Sequence, residues 1–287
     1  MKEIVPEIIN QLYKERKGGV RKYDNGTVLV IGGSENYTGS PVLSAMAAMR
    51  AGADIAKVAA PWRAADVAAM SGPDMITFPF PGDHLSCKHL GKLVTLTKGA
   101  EEVSRGKLAV VLGGGMGREE GSKALVREYI KKVNVPVVVD ADGIYAFEGK
   151  APEVEESKIL FTPHLYEFFI LTGVNVNVLS PEEKAQAVKR AADRLSSTIL
   201  LKGESDIVSS GSEVEVNKMS VPQMAIGGTG DVLAGIAGTL LARGFLPFDA
   251  AKGAAVINTL AGDLAVKEKG ESIIAVDVID KLHKVIN

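Results

Sequence analysis

Short apolar runs rich in β-branched residues alternate along the chain with longer segments of helical period. Residues 27–31, 54–59, 108–112, 135–139, 158–161 and 198–201 are almost wholly apolar, as strands covered on both faces should be. Helical patterns lie between them at 41–51, 119–132 and 181–195, so the alternation predicts a mostly parallel sheet sandwiched between helices. Residues 206–209 and 213–216, joined across Ser210-Gly211-Ser212, predict an antiparallel hairpin at the sheet edge. The last part of the chain reads as helices over 232–243, 248–267 and 276–285. No linker, repeat or low-complexity segment interrupts this, which predicts a single domain over residues 1–287 with a helical N-terminal extension over 1–20.

Composition narrows the class of protein. With 287 residues and 46% hydrophobic content the chain can bury one large core. Its 33 Lys plus Arg against 35 Asp plus Glu, with no dense basic block, give no support to nucleic-acid binding. Cys87 is the only cysteine, which excludes an intramolecular disulfide and points to a reducing compartment. No helix-mouth glycines surround it, so it reads as a spectator thiol. The N-terminal residues mix acids and bases without a signal-peptide core, and no uncharged apolar stretch reaches the ~18 residues a bilayer span needs. The expectation is a soluble, cytoplasmic protein without a membrane or nucleic-acid partner.

The chemistry-bearing segments fall just after the strand candidates, at the carboxyl ends where parallel sheets collect ligands. Gly227-Gly228-Thr229-Gly230-Asp231 precedes an apolar helical run, so a helix is expected to start near Asp231 with the loop amides facing outward. Such a terminus attracts anions, and an acid there could take a proton from a hydroxyl while the amides hold a phosphoryl group. The plainer alternative is that Asp231 is an ordinary N-cap. Gly113-Gly114-Gly115-Met116-Gly117 would let backbone approach a bulky ligand closely, or be a flexible turn. Asp140 and Asp142, two apart in extended geometry, would point to one side and suit Mg²⁺ held through water; loop capping is the other reading. His164, in Thr162-Pro163-His164-Leu165-Tyr166-Glu167, is placed to hydrogen-bond a substrate, with Glu167 in the first turn of a helix as a dipole partner. Lys202-Gly203-Glu204-Ser205-Asp206 could bind a nucleotide or simply open the hairpin. His84, His89 and His283 form no cluster, which argues against zinc. Neither a GxxxxGK[ST] loop nor a GxGxxG opening a βαβ unit is present.

Taken in order, Gly32-Gly33-Ser34 with Tyr37-x-Gly39-Ser40-Pro41, then LGGGMGR, VVVDADG, TPHLYEF, LKG, GGTGDVLAG and NTLAGDL resemble the NAD(P)H-hydrate dehydratase family of the ribokinase-like superfamily, from about Lys22 to Leu282. The resemblance implies a three-layer α/β/α ribokinase-like fold and a lyase of metabolite repair. It would return the hydrates of NADH and NADPH to the reduced cofactors, with ADP (or ATP) as co-substrate, Mg²⁺ as cofactor and a homotetrameric assembly. It further implies that Asp231 deprotonates the C6 hydroxyl of the hydrate, which then attacks the terminal phosphoryl group beside the Gly228, Thr229 and Gly230 amides. Ser40, Gly115, His164 and Asp231 would contact the hydrate. Lys202, Gly203, Glu204, Ser205, Asp206 and Gly230 would contact the nucleotide, and Asp140 with Glu167 would reach Mg²⁺ through water. Serine at 40 instead of alanine, Leu165-Tyr166 instead of Pro-Gly, DADG instead of DADAL and the lack of a glycine pair before the GGTGD loop depart from the family pattern and bear on pocket shape rather than on the acid. Many relatives carry a fused epimerase domain; the expectation here is a stand-alone dehydratase or part of a longer protein. The competing expectations are a hydroxymethylpyrimidine- or thiazole-type kinase, whose members usually carry asparagine in place of His164, and a non-catalytic nucleotide binder.

Overall fold

The computed structural model describes residues 1–14, 18–153 and 158–286. In chain order its elements are β1 (Lys2–Glu3), α1 (Ile8–Leu12), β2 (Thr27–Ile31), α2 (Gly39–Arg50), β3 (Ile55–Pro61), α3 (Trp62–Ser71), β4 (Met75–Phe80), α4 (Leu90–Val103), β5 (Leu108–Leu112), α5 (Glu120–Lys132), β6 (Val137–Val139), β7 (Ile159–Phe161), α6 (Leu165–Thr172), α7 (Pro181–Arg194), β8 (Thr198–Leu201), β9 (Asp206–Ser209), β10 (Val214–Asn217), α8 (Thr229–Ala242), α9 (Pro247–Lys269) and α10 (Ala275–Ile286). The strands form one sheet of order β1-β10-β9-β8-β7-β6-β5-β2-β3-β4. From β4 to β8 every pairing is parallel, and β9 runs antiparallel to both β8 and β10.

Alternating side chains of each buried strand feed two cores. Val28 and Val30 pack with α2, α8, α9 and α10, whereas Leu29 and Ile31 face the layer containing α4, α5 and α7. The direction of winding reverses where β2 lies beside β5, and this topological switch opens a crevice at their carboxyl ends. Small residues let α2 and α8 run close over that crevice: a Cβ on Gly235 would stand 2.9 Å from the Ala47 Cβ. The Ser44 hydroxyl donates to the Asp231 carbonyl at 3.1 Å, tying the two helices at the rim.

Several elements differ from the sequence expectation. Of the extension expected to be helical over 1–20, only Ile8–Leu12 is helical among the described residues, and residues 15–17 lie outside them. Lys2–Glu3 instead pairs in parallel with β10, where exposed Lys2 meets buried Glu215 at 2.7 Å. Strand β4 has no counterpart in the apolar pattern, since Met75–Phe80 carries Pro79 and is not apolar throughout; an edge strand tolerates both. Helices α3 and α4 were likewise not anticipated. No helix among the described residues is long and apolar enough to cross a membrane.

Candidate active site

Helix α8 begins at Thr229, two residues before the expected start, and its N-cap is Gly228 rather than Asp231. Gly228 sits at φ 95, where an L side chain is strained, and a Cβ there would lie 2.7 Å from Leu43 and 2.8 Å from Ala275. No side chain caps this end, so its first N–H groups lack an intrahelical acceptor. The Thr229 hydroxyl turns back to donate to the Met224 and Ile226 carbonyls at 2.9 and 3.1 Å, so it braces the loop. Asp231, the third helical residue, is therefore released from capping duty. Its carboxylate lies over the backbone of Gly114 and accepts from the Ser40 hydroxyl; a Cβ on Gly114 would stand 2.8 Å from Asp231 Oδ1. Burial pushes the Asp231 carboxyl up to about 7, reinforced by the negative Asp140 and opposed by Lys202 and the Ser40 hydrogen bond.

Asp140 follows β6 and is buried. Its Oδ1 accepts from Lys202 Nζ and from the Thr162 hydroxyl, both at 2.8 Å. The expected same-side pairing with Asp142 does not occur, because Ala141 takes φ 51 and turns the chain through the left-handed region. Asp142 points instead to the glycine loop, where it accepts from the Gly117 N–H at 3.0 Å and from Arg118 Nε at 2.7 Å. The loop-capping reading holds for Asp142.

His164 is the N-cap of α6. Its Nδ1 accepts from the N–H groups of Tyr166 and Glu167 at 3.1 and 3.3 Å, while Glu167 Oε2 accepts from the His164 N–H at 2.9 Å. An Nδ1 that accepts hydrogen bonds carries no proton, so the proton resides on Nε2, 3.3 Å from Glu167 Oε1. Burial and the nearby Lys202 charge lower the His164 pKa, which keeps the ring neutral. The half-exposed imidazole is thus a fixed Nε2–H donor at the rim. Glu167 is buried, and desolvation raises it to about 7 despite Lys202.

These groups converge on one largely buried cation, Lys202, whose side chain is 20% exposed. Desolvation pulls the Lys202 ammonium down, but Asp140, Glu167 and Asp231 outweigh it and leave the pKa raised. A parallel bridge pairs His164 with Lys202, and the Lys202 N–H donates to the Pro163 carbonyl at 2.8 Å, locking the ends of β7 and β8 together. Gly230 passes directly above, for a Cβ there would stand 3.1 Å from Lys202 Nζ and 3.9 Å from Asp140 Oδ2. In the turn that follows, Asp206 Oδ1 accepts from the Gly203 N–H at 3.2 Å, and burial raises its carboxyl to about 6. Glu204 and Ser205 are exposed beside it. Gly115, at φ 65, packs under Tyr37 at the mouth.

The structure thus gathers Ser40, Gly114, Asp140, Lys202, Gly230 and Asp231 into one crevice, with His164 and Glu167 beside it. Gly114, Thr162 and Arg118 lie within the quoted motifs without an individual role there, although Thr162, the first polar residue after β7, carried a local signal. Among the described residues no group of three or more His, Cys, Asp or Glu side chains could hold a metal ion. Asp140 Oδ1 and Glu167 already face Lys202 and the His164 backbone, so the residues suit only a Mg²⁺ carried mainly by phosphates and water. Cys87 is exposed and away from these groups, and buried His89 accepts from the Ser86 N–H at 3.1 Å; both are structural bystanders.

The family model described as NAD(P)H-hydrate dehydratase matches residues 28–284. A bifunctional NAD(P)H-hydrate repair enzyme of Pyrobaculum aerophilum is 41% identical, over 94% of this chain and 52% of its own length. An ADP-dependent (S)-NAD(P)H-hydrate dehydratase of Cenarchaeum symbiosum is 34% identical over 97% of this chain and 94% of its own. The chain spans about half the length of the bifunctional relatives it matches. Among solved structures, a ribokinase-like superfamily protein of Enterococcus faecalis V583 superposes with TM-score 0.86 at 21% identity, covering 100% of this chain and 95% of that one. The ADP/ATP-dependent NAD(P)H-hydrate dehydratase of Bacillus subtilis, co-crystallised with ATP/Mg²⁺, gives TM-score 0.84 at 24% identity over 99% and 97%. These likenesses establish the three-layer ribokinase-like fold. The family match runs from β2 into α10 and takes in every residue of the crevice, and the chain belongs to the NAD(P)H-hydrate dehydratase family.

Proposed function

We propose that the protein dehydrates hydrated NADH and NADPH back to the reduced cofactors, using a nucleotide to activate the departing oxygen. The observation that carries this reading is the partly buried Asp231 carboxyl, with its pKa raised to about 7, beside an uncapped helix terminus. At neutral pH such a group exists in both forms, as a general base requires. Asp231 takes the proton of the C6 hydroxyl, and that oxygen bonds to the terminal phosphorus of ADP or ATP while the bridging P–O bond breaks, releasing AMP or ADP. The backbone N–H groups of the Gly228-Thr229-Gly230 loop stabilise the charge that develops on the phosphoryl oxygens. The C6–O bond then breaks with its electron pair leaving as phosphate, and loss of a proton from C5 restores the dihydropyridine. The His164 Nε2–H, with Ser40 and Gly115, positions the ring.

Mg²⁺, when bound with the nucleotide, neutralises phosphate charge, and Asp140 would reach it through water. Lys202 holds Asp140 and Asp231 in place and, with the Gly203–Asp206 turn and Gly230, borders the nucleotide. The name of the Cenarchaeum relative supports ADP, and the Bacillus neighbour crystallised with ATP/Mg²⁺ supports a nucleoside triphosphate as well. Our reading is a single ribokinase-like domain acting in cytoplasmic cofactor repair. Incubating the NADH hydrate with protein, Mg²⁺ and either ADP or ATP should restore NADH absorbance with stoichiometric phosphate. Phosphate release without recovered NADH rejects the proposal in favour of kinase-type or simple hydrolytic chemistry.

A further inference from the structure

The geometry points to Arg118 as the residue that receives a phosphate group of the dinucleotide substrate; this deepens the dehydratase reading and rests on it. Arg118 ends the glycine loop, three residues after Gly115. Its guanidinium is held from two directions. Nε donates to Asp142 Oδ1 at 2.7 Å, and Cζ lies 3.9 Å from the centroid of the Tyr145 ring. The loop beneath is fixed by the same carboxylate, since Asp142 Oδ2 accepts from the Gly117 N–H at 3.0 Å.

Asp142 uses one edge of the guanidinium and Tyr145 one face. Among the described residues, neither Nη makes a hydrogen bond. The side chain is 58% exposed, and its charge lies near enough to His164 and Glu167 to exert a small downward pull on each, behind desolvation and Lys202. A planar fork, restrained at its base and open at its tip, ends the glycine loop within electrostatic reach of His164 and Glu167. That geometry matches the paired oxygens of a phosphate or carboxylate, and because the fork is already ordered it loses little freedom on binding. The hydrated dinucleotide has no carboxylate, so its phosphates are the matching groups. The proposed nucleotide groups, the α8 terminus and Lys202, border Asp140, whereas Arg118 is held by Asp142 and Tyr145.

The test compares wild type with Arg118→Gln using the hydrates of NADH and NADPH, together with fluorescence titration of NADH and NADPH as unreacting products. Losing a charge-assisted hydrogen-bond pair should lower kcat/KM for the hydrates and weaken product binding by about 10- to 100-fold, without moving the KM of ADP or ATP. Equal losses for both cofactors assign the contact to the diphosphate, and losses confined to the NADPH forms assign it to the 2′-phosphate. Arg118→Lys, which supplies a point charge without the fork, should recover only part of the binding. Unchanged product affinity in Arg118→Gln, or an increase in nucleotide KM alone, overturns the inference. A wild-type protein that binds both cofactors through Arg118 but never regenerates NADH would instead sink the dehydratase reading and leave this contact standing.

Discussion

Asp231→Asn keeps the shape of the side chain and removes its charge, so it should raise stability while abolishing turnover. Burial carries the carboxyl from 3.8 up to about 7, against the pull of Lys202 and the Ser40 hydrogen bond. A folded-state pKa above the unfolded value means that the fold prefers the protonated form. The associated stability is fully present below the unfolded pKa and is lost as pH climbs through the folded one. With about 1.36 kcal/mol per unit, a rise from 3.8 to about 7 sets a ceiling near 4 kcal/mol on the stability lost by pH 8. The carboxyl keeps some contact with solvent, which lowers the expected value to roughly 1–3 kcal/mol. Asparagine carries no ionisation penalty. Urea unfolding should therefore give similar stabilities for wild type and variant at pH 4, with the variant pulling ahead as pH rises to 8. Over the same range its rate of NADH recovery should fall by about 10²–10⁴-fold through loss of the base. Nucleotide affinity should stay close to wild type, because the amides of the α8 terminus are untouched. A stability difference that does not change between pH 4 and 8, or a wild-type rate, refutes the assignment.

Other perturbations probe the neighbours. The pH–rate profile of kcat/KM should rise through about 7 as Asp231 ionises, and a flat profile from 5 to 8 contradicts a buried base. Lys202→Met leaves buried Asp140 without its cation and should destabilise the protein by about 3–5 kcal/mol, read by denaturant unfolding at pH 7. His164→Ala removes the acceptor of the α6 capping box and should cost about 1 kcal/mol, whereas His164→Asn keeps a capping oxygen. Thermal unfolding should separate these two variants although both lose the Nε2–H donor, and equal melting temperatures would show that the cap contributes nothing. Gly228→Ala places a Cβ 2.7 Å from Leu43 at φ 95, which should cost about 1–3 kcal/mol and displace the loop amides, detected as a lower Tm together with weaker ADP binding.

The central strands were readable because each is buried on both faces, so its residues are apolar without regard to neighbours: β2 and β5 were located to the residue. The edges were not. β4 contains Pro79 and β1 has only two residues, and both become strands only because a partner strand supplies hydrogen bonds. The rim motifs were equally local, since a glycine or acid directly after a strand needs no knowledge of the rest of the chain. What each rim residue does depended on distant partners. Spacing put Asp140 and Asp142 on the same side, yet a left-handed Ala141 sends Asp142 to Arg118 and Asp140 to Lys202.

By itself, then, the chain determined its layered α/β architecture, the rim on which its polar motifs cluster and the acid at the head of α8. Strand burial, turn residues and helix starts are all written within a few consecutive positions. Only the tertiary structure decided that Asp140, Glu167 and Asp231 surround the Lys202 ammonium, and that Asp231 is pushed up to about 7. Charge interactions and desolvation depend on distance and solvent access, and these exist only once remote segments have packed together.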